Sequence, residues 1–349
     1  MNLPDGDRRT VNPCGGDRRT VNPSDGDRRT VNPCGNEGRT GDLPLAGGGV
    51  PVPGRGLLVV GEVVTDVVAL HGSPLVHGTD TAARIRSLPG GAGANVACWA
   101  VRSGCREVAL LARAGAESAD WHREALERAG VRALLAVDDE VATATVIALV
   151  DSAAERTFLT DSGAVLRLAV EDFAPSMLDG AGWLHLSGYL LFAATSRAAA
   201  LLALRTALER GIPVSVDPAS AGFLAELGPK RYLEYAEGAE LLLPNADEAR
   251  LLTGLPEPAE AAAELSRMFP RVVVTLGGGG AVVAAGGRVT GRVDARPVPV
   301  PVDSTGAGDA FTGGFLAAVL AGADDRAAAA EGCRAGAEAV ATVGGRPPP

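Results

Sequence analysis

The sequence predicts an α/β fold: a mostly parallel central sheet flanked by helices, with a small β-sheet beside it. Short, largely apolar runs at Leu57–Val60, Val108–Arg113, Trp183–Leu186 and Val272–Leu276 have the pattern of buried parallel strands. Between them lie helical stretches at Ala116–Ala129 and Thr195–Arg210, each stopped by a glycine, Gly130 or Gly211. Such alternation implies βαβ units. The chain has 349 residues, 46% of them apolar, which is enough for one large layered domain with a small appendage.

Residues 1–56 are expected to be a disordered, repetitive N-terminal tail. The unit GDRRTVNP starts at Gly6, Gly16 and Gly26, and a Gly/Pro-rich stretch follows. A unit this polar buries too little to offset the entropy of ordering it, and solenoid repeats are longer and more apolar. The first strand, Leu57–Val60, closes on Gly61-Glu62, and Asp66 follows in VVTDVVAL, where a charge can blunt an edge strand. In GGAGANVACWAVRSG, Gly90, Gly91 and Gly93 let the main chain approach a ligand. Asn95 opens the helix after them, as an N-cap or as an amide donor and acceptor for a ligand. The β-branched segments Thr143–Val150 and Arg156–Thr160, separated by DSAAE, combine with Asp66–Leu70 and Ala83–Ser87 into the small sheet. His185, alone among apolar residues, reads as a core histidine. Pro213–Val216 returns to the sheet with Asp217 at its tip, and Leu241–Leu243 leads into PNADEARLLTG. There Asn245 and Glu248 share one helix face, either as a capping pair or as site residues. The run Gly277–Gly280 is either a hairpin turn or a place of close ligand approach.

The stretch DSTGAGDAFTGGFLAAVL, Asp303–Leu320, follows the Pro-Val segment Arg296–Val302, which reads as a strand. A helix beginning at Gly306–Asp309 aims free backbone N–H groups and the positive end of its dipole at the loop, an anion site. A carboxylate among such donors has two explanations. Asp309 either caps the helix or accepts a proton from a hydroxyl that attacks phosphorus. Phe311, Phe315, Leu316 and Val319 form the core stripe of this helix, and Ala327–Val340 makes another.

DSTGAGDAF resembles the C-terminal signature [DN]-T-x-G-A-G-D of the ribokinase-like (PfkB) family of carbohydrate and nucleoside kinases, with Ser304 where the signature has Thr. GGAGAN, Gly90–Asn95, resembles that family's N-terminal signature, and the similarity runs from Leu57 to Arg346, leaving residues 347–349 as a short tail. The resemblance implies a three-layer ribokinase-like fold over residues 57–346, with a β-sheet lid from about 66–88 and 143–162 that also serves as a homodimer contact. It implies ATP with Mg2+ as cofactors and a small-molecule sugar, ribose-like, or a nucleoside as acceptor. Asp66, Gly91 and Asn95 would bind that acceptor, Gly306, Ala307 and Gly308 would form the anion hole, and Asp309 would be the base. Asn245 and Glu248 would order magnesium and phosphate, with Glu248 as the metal residue. Thr275, Gly277 and Gly280 would meet the nucleotide, and the helix Ala327–Val340 would flank the adenine. Asp303 and Thr305, with the C-terminal loop, would hold a monovalent cation such as K+.

Composition narrows the alternatives. A net charge of −10 without a basic stripe speaks against nucleic acid, and the chain lacks a long uninterrupted apolar run for a membrane span. The N-terminus lacks the apolar core of a signal peptide, and the five cysteines show no metal-ligand spacing, so a cytoplasmic location is expected. Neither a Walker loop nor a GxGxxG turn after the first strand is present. The competing reading is a sugar-binding regulator without turnover.

Overall fold

The computed structural model describes residues 54–151 and 156–348, so the repetitive tail and most of the DSAAE turn lie outside the described residues. The strands are β1 (Gly56–Val60), β2 (Val64–His71), β3 (Ala83–Gly90), β4 (Val108–Gly115), β5 (Arg132–Asp138), β6 (Ala144–Val150) and β7 (Arg156–Asp161). They continue with β8 (Ala181–Ser187), β9 (Val214–Asp217), β10 (Leu241–Leu242), β11 (Arg271–Thr275), β12 (Ala281–Ala285) and β13 (Arg288–Val293). The helices are α1 (Ala92–Arg102), α2 (Ala119–Arg128), α3 (Ala194–Glu209), α4 (Ala221–Leu227), α5 (Pro229–Tyr235), α6 (Ala246–Thr253), α7 (Pro258–Leu265), α8 (Ala307–Leu320) and α9 (Asp325–Val340).

The central sheet has the order β13-β12-β11-β10-β9-β8-β1-β4-β5. From β11 to β5 every neighbouring pair is parallel, whereas β11, β12 and β13 pair antiparallel. The strand sequences explain why helices cover both faces. In β1, Leu58 and Val60 pack toward α3, while Leu57 and Val59 pack toward α1 and α8. Burying each such side chain is worth about 1.5–3 kcal/mol, so a strand apolar on both sides is stable only between two layers. The chain leaves β1 toward β4 on one side and reaches β8 on the other. A crevice therefore opens at the carboxyl ends of β1 and β8, where ligands bind in open α/β sheets.

The four-stranded sheet β3-β2-β6-β7 contains the predicted segments. It is mixed, since β2 and β6 run parallel while β2/β3 and β6/β7 are antiparallel. Asp66 lies opposite Val146, and Val146 opposite Thr160, so these three side chains share one face.

Some elements differ from the sequence expectation. Arg296–Val302 is not a strand: Pro297, Pro299 and Pro301 remove every second ladder donor, and the amides of Val302 and Asp303 donate to the Val340 carbonyl instead. Helix α2 starts at Ala119 rather than Ala116, because the Ala116 amide donates to the Asp138 carbonyl at 2.9 Å and is held in the preceding turn. Strands β5 and β13 and the short helices α4, α5 and α7 carry patterns too brief or too polar to stand out. His185 is a satisfied core histidine, with Ser215 Oγ at 2.9 Å and Asp217 Oδ2 at 3.1 Å.

Candidate active site

The turn from Gly306 into α8 is built by backbone geometry. Gly306 is the N-cap with φ of 72°, and no side chain caps this helix. Asp309 therefore does not cap α8. It sits in the first turn, where Asn95 Nδ2 donates to its Oδ2 at 2.8 Å. Asn95 is not a cap either: α1 begins at Ala92 after Gly91, whose φ of 99° suits glycine, and Asn95 points inward from the first turn at 4% exposure. Its Oδ1 is buried without a hydrogen-bond partner among the described residues, which leaves an acceptor for a hydroxyl.

The electrostatics of Asp309 are set first by removal from water, which pushes its carboxyl up to about 8. The Asn95 hydrogen bond opposes this, and the carboxylates of Asp217, Glu62 and Asp66 reinforce it. Asp66, on β2, is raised to about 6 by burial, with Arg346 pulling it down and Asp303 pushing it up. Burial first, and the neighbouring carboxylates second, shift Asp309 and Asp66 toward their protonated forms.

Three cavities converge on the Gly306–Asp309 turn. One, of about 420 Å3, is lined by Asp66, Gly91, Asn95, Thr305, Gly306 and Asp309. A second, of about 630 Å3, lies on the other side, lined by Thr275, Gly277, Gly280, Ser304, Ala307 and Gly308. Between them is a small space of about 100 Å3 bounded by Asp217, Asn245, Glu248, Thr275, Gly308 and Asp309. A further cavity at the opposite edge of the sheet, around Gly56 and Arg106, contains none of these groups.

Asn245 and Glu248 form a reciprocal capping box on α6: Glu248 N donates to Asn245 Oδ1 at 2.9 Å, and Asn245 N donates to Glu248 Oε2 at 2.8 Å. The capping reading of this pair is what the geometry contains, yet both residues also face the small central space. Glu248 is 4% exposed, and burial raises its carboxyl to about 7. In the glycine run, Gly280 has φ of 84° and sits against the end of β13, so it serves the turn as well as the cavity wall. The Ala307 amide donates to the Ser304 carbonyl at 3.3 Å, and Gly308 and Asp309 follow it in the first turn of α8.

Asp303 fastens the C-terminal segment to this turn. Its Oδ1 accepts from the Thr305 amide at 2.8 Å and its Oδ2 from the Gly344 amide at 3.0 Å. Trp99 Nε1 donates to the Gly345 carbonyl at 2.9 Å, which locks the loop from the other side. No group of three or more acidic, His or Cys side chains suited to a metal ion occurs among the described residues.

Residues 55–349 match the pfkB family carbohydrate kinase. The chain belongs to that family. This pfkB kinase is 32% identical over 277 residues to a fructokinase of Klebsiella pneumoniae, covering 75% of this chain and 84% of that one. It is 30% identical over 277 residues to a nucleoside kinase of Methanothermobacter thermautotrophicus, covering 77% and 84%. Its ribokinase-like fold superimposes with a TM-score of 0.73 on a ribokinase II from E. coli in complex with ATP and Mg2+, at 24% identity, covering 83% of this chain and 94% of that one. No helix of the described residues is long and apolar enough to cross a membrane.

Sequence reasoning passed over two acids of this pfkB kinase. Glu62, 3% exposed, accepts from the Gly93 amide at 3.2 Å, and burial raises it to about 7. Asp217 stands at the end of β9. The available signal was a carboxylate directly after a buried parallel strand, at the carboxyl edge of the sheet. Sequence reasoning also passed over the aromatic wall formed by Tyr189, Phe192 and Phe223, because Phe223 lies far down the chain from the neighbouring Tyr189 and Phe192.

Proposed function

We propose that this kinase transfers the γ-phosphoryl group of ATP to the hydroxymethyl group of a ribose-like sugar. The observation that carries the reading is the meeting of two cavities on either side of one turn, with Asp309 reaching the first and Gly308 lining the second. Asp66 and Asn95 would hold ring hydroxyls in the smaller cavity, with the free Asn95 Oδ1 as acceptor. Asp309 would take the proton of the hydroxymethyl group as its oxygen bonds to the γ-phosphorus. The bond from that phosphorus to the bridging oxygen breaks, and ADP leaves with the electron pair. The Gly308 amide and the dipole of α8 would offset the charge gathering on the phosphoryl oxygens.

Magnesium, when bound, supplies charge neutralisation on the phosphates, and the oxygen donors of Asn245 and Glu248 beside Asp309 suit its preference for hard ligands and retained waters. Asp303 and Thr305, beside the C-terminal loop that Asp303 fastens, are the residues that would hold a monovalent cation, to which no step is assigned. The lid face bearing Asp66 would exclude water that otherwise competes for the phosphoryl group. We also propose a cytoplasmic, tail-bearing kinase domain over residues 57–346.

The test is ADP release from ATP and Mg2+ with a panel of pentoses, hexoses and nucleosides. Turnover with an acceptor supports the reading, whereas tight sugar binding without ADP release points to the regulator. The base must be ionised to act, and Asp309 is raised to about 8, so kcat/KM should climb with pH and level off above about 8. Asn95→Ala removes the bond that opposes the rise, so its limb should lie at higher pH than the wild type. A profile flat from about pH 6 to 9, or a limb displaced to lower pH in the variant, would count against Asp309 as base.

A further inference from the structure

Behind the acceptor cavity lies a cation that none of the steps above uses. Arg346 belongs to the C-terminal segment, which is held on either side: Asp303 Oδ2 accepts from the Gly344 amide, and the Gly345 carbonyl accepts from Trp99 Nε1. This segment packs so closely on α1 that a Cβ on Gly345 would overlap the side-chain amide of Asn95. From there the Arg346 side chain reaches the end of β3, where its Nη2 donates to the Gly90 carbonyl at 3.3 Å. Its Nε and Nη1 are buried and have no hydrogen-bond partner among the described residues. A buried guanidinium with two unused donors has lost water without replacing it, so its position calls for a nearby negative charge.

That charge is Asp66. A Cβ on Gly90, the residue whose carbonyl holds Arg346, would overlap the Asp66 carboxylate, so guanidinium and carboxylate meet the same residue. Burial raises the Asp66 carboxyl and Arg346 draws it down. The other groups around Arg346 supply no such charge. His122 of α2 is fully buried, with Nε2 3.2 Å from Thr65 Oγ1 and Nδ1 without a hydrogen-bond partner. Burial first and Arg346 second hold this imidazole down to about 4, so it is neutral. Burial pushes the Cys98 thiol up, which keeps it neutral as well. On the other side of Asp66, its neighbours are acidic: Asp303 ahead of α8, and Asp309, Glu62 and Asp161 around the cavity. No Lys, Arg or His lines that cavity, so the charge that offsets Asp66 comes from behind it.

We propose that Arg346 is a positioning residue for the acceptor: it does not touch the substrate, but places a guanidinium behind Asp66 so that this carboxylate can accept from the acceptor's hydroxyls. The inference rests on the phosphoryl-transfer reading for its kinetic consequence. An ionised carboxylate accepts from two hydroxyls through both oxygens, whereas a protonated one turns an oxygen into a donor. Loss of Arg346 should therefore weaken acceptor binding and leave the chemistry at Asp309 in place.

The experiment compares Arg346→Met, which keeps an unbranched apolar stem without the charge, and Arg346→Lys, which restores the charge, with wild type as full chains. With ATP and Mg2+ at pH 7, the KM for ribose should rise at least about tenfold in Arg346→Met, the weight of a hydrogen bond to a charged group. Its kcat and its KM for ATP should stay within about threefold, and Arg346→Lys should recover most of the ribose KM. Arg346→Gln gives the same comparison if Arg346→Met does not fold. An unchanged ribose KM, or equal losses in the Met and Lys variants, overturns the proposal. A second readout needs no turnover: NMR titration of chains with 13C-labelled aspartate carboxyls, the Asp66 signal being the one lost in Asp66→Asn. Its midpoint should lie at higher pH in Arg346→Met than in wild type and return toward wild type in Arg346→Lys. If wild type phosphorylates no acceptor, the phosphoryl-transfer reading fails and this titration decides the inference by itself: a displaced midpoint upholds it, and superimposable curves refute it.

Discussion

Asp309→Asn should lower kcat by about two to four orders of magnitude, the range that a positioned general base contributes. The asparagine keeps the size of the carboxylate and can still hydrogen-bond to Asn95, so the crevice keeps its shape while losing the proton acceptor. ATP affinity, measured by calorimetry, should stay within about threefold, since the residues around the larger cavity are untouched. Near-normal turnover in this variant would remove the carboxylate from the mechanism. The same substitution has a consequence for stability. The folded protein raises Asp309 from the usual carboxylate range to about 8, so the native state holds a proton that the unfolded chain has released. Stability from this group is thus fully present below the unfolded value and is lost as pH rises toward about 8. Asp309→Asn should therefore gain Tm relative to wild type at alkaline pH more than at acid pH, the reverse of its effect on rate.

The second large effect is expected at Gly306. Its φ of 72° lies in the left-handed region, where a β-branched residue is strained by about 1–3 kcal/mol. A Cβ at this position would also fall 2.5 Å from Gly345 Cα. Gly306→Val must therefore displace either the first turn of α8 or the C-terminal loop tied to Asp303 and Trp99. A shift of about 1 Å in that turn moves Asp309 away from the acceptor oxygen, and kcat/KM should fall by at least about 100-fold, with a lower Tm. Gly308→Ala is the contrast for stability. A Cβ there meets nothing within 4 Å, so its Tm should remain close to that of wild type. Equal Tm values and wild-type kcat/KM for Gly306→Val would show that the turn tolerates movement and that the geometry argued for Asp309 is not strict.

Several features of the protein were readable from local sequence because local chemistry enforces them. A run such as Leu57–Val60 has no polar face, so it must be a strand between two layers. In GAGD, glycines at a helix entry were readable as a turn with exposed first-turn amides, and Asp309 could be singled out because a carboxylate is unexpected there. The β-branched residues of Thr143–Val150 marked a strand of the small sheet, because such side chains suit a pleated surface. Local pattern misled at Arg296–Val302, where alternation of Pro and Val looked like a strand although proline cannot supply the ladder. It was also ambiguous for Asn245 and Glu248, since a capping box and a site pair have the same spacing; the capping box forms, and both residues line the small space beside Asp309.

The sequence by itself determined the layered α/β architecture, the glycine turn that opens α8 and the family resemblance, because each depends on neighbours within a few residues. Only the tertiary structure decided that Asn95 bonds Asp309 from another helix, that Glu62 and Asp217 crowd the same crevice, and that Tyr189, Phe192, Phe223 and Phe158 form one wall. Those contacts join residues from strands and helices far apart in the chain. A carboxyl group's proton affinity and the shape of a cavity are sums over such distant neighbours, so they do not exist until the sheet has brought the strand ends together.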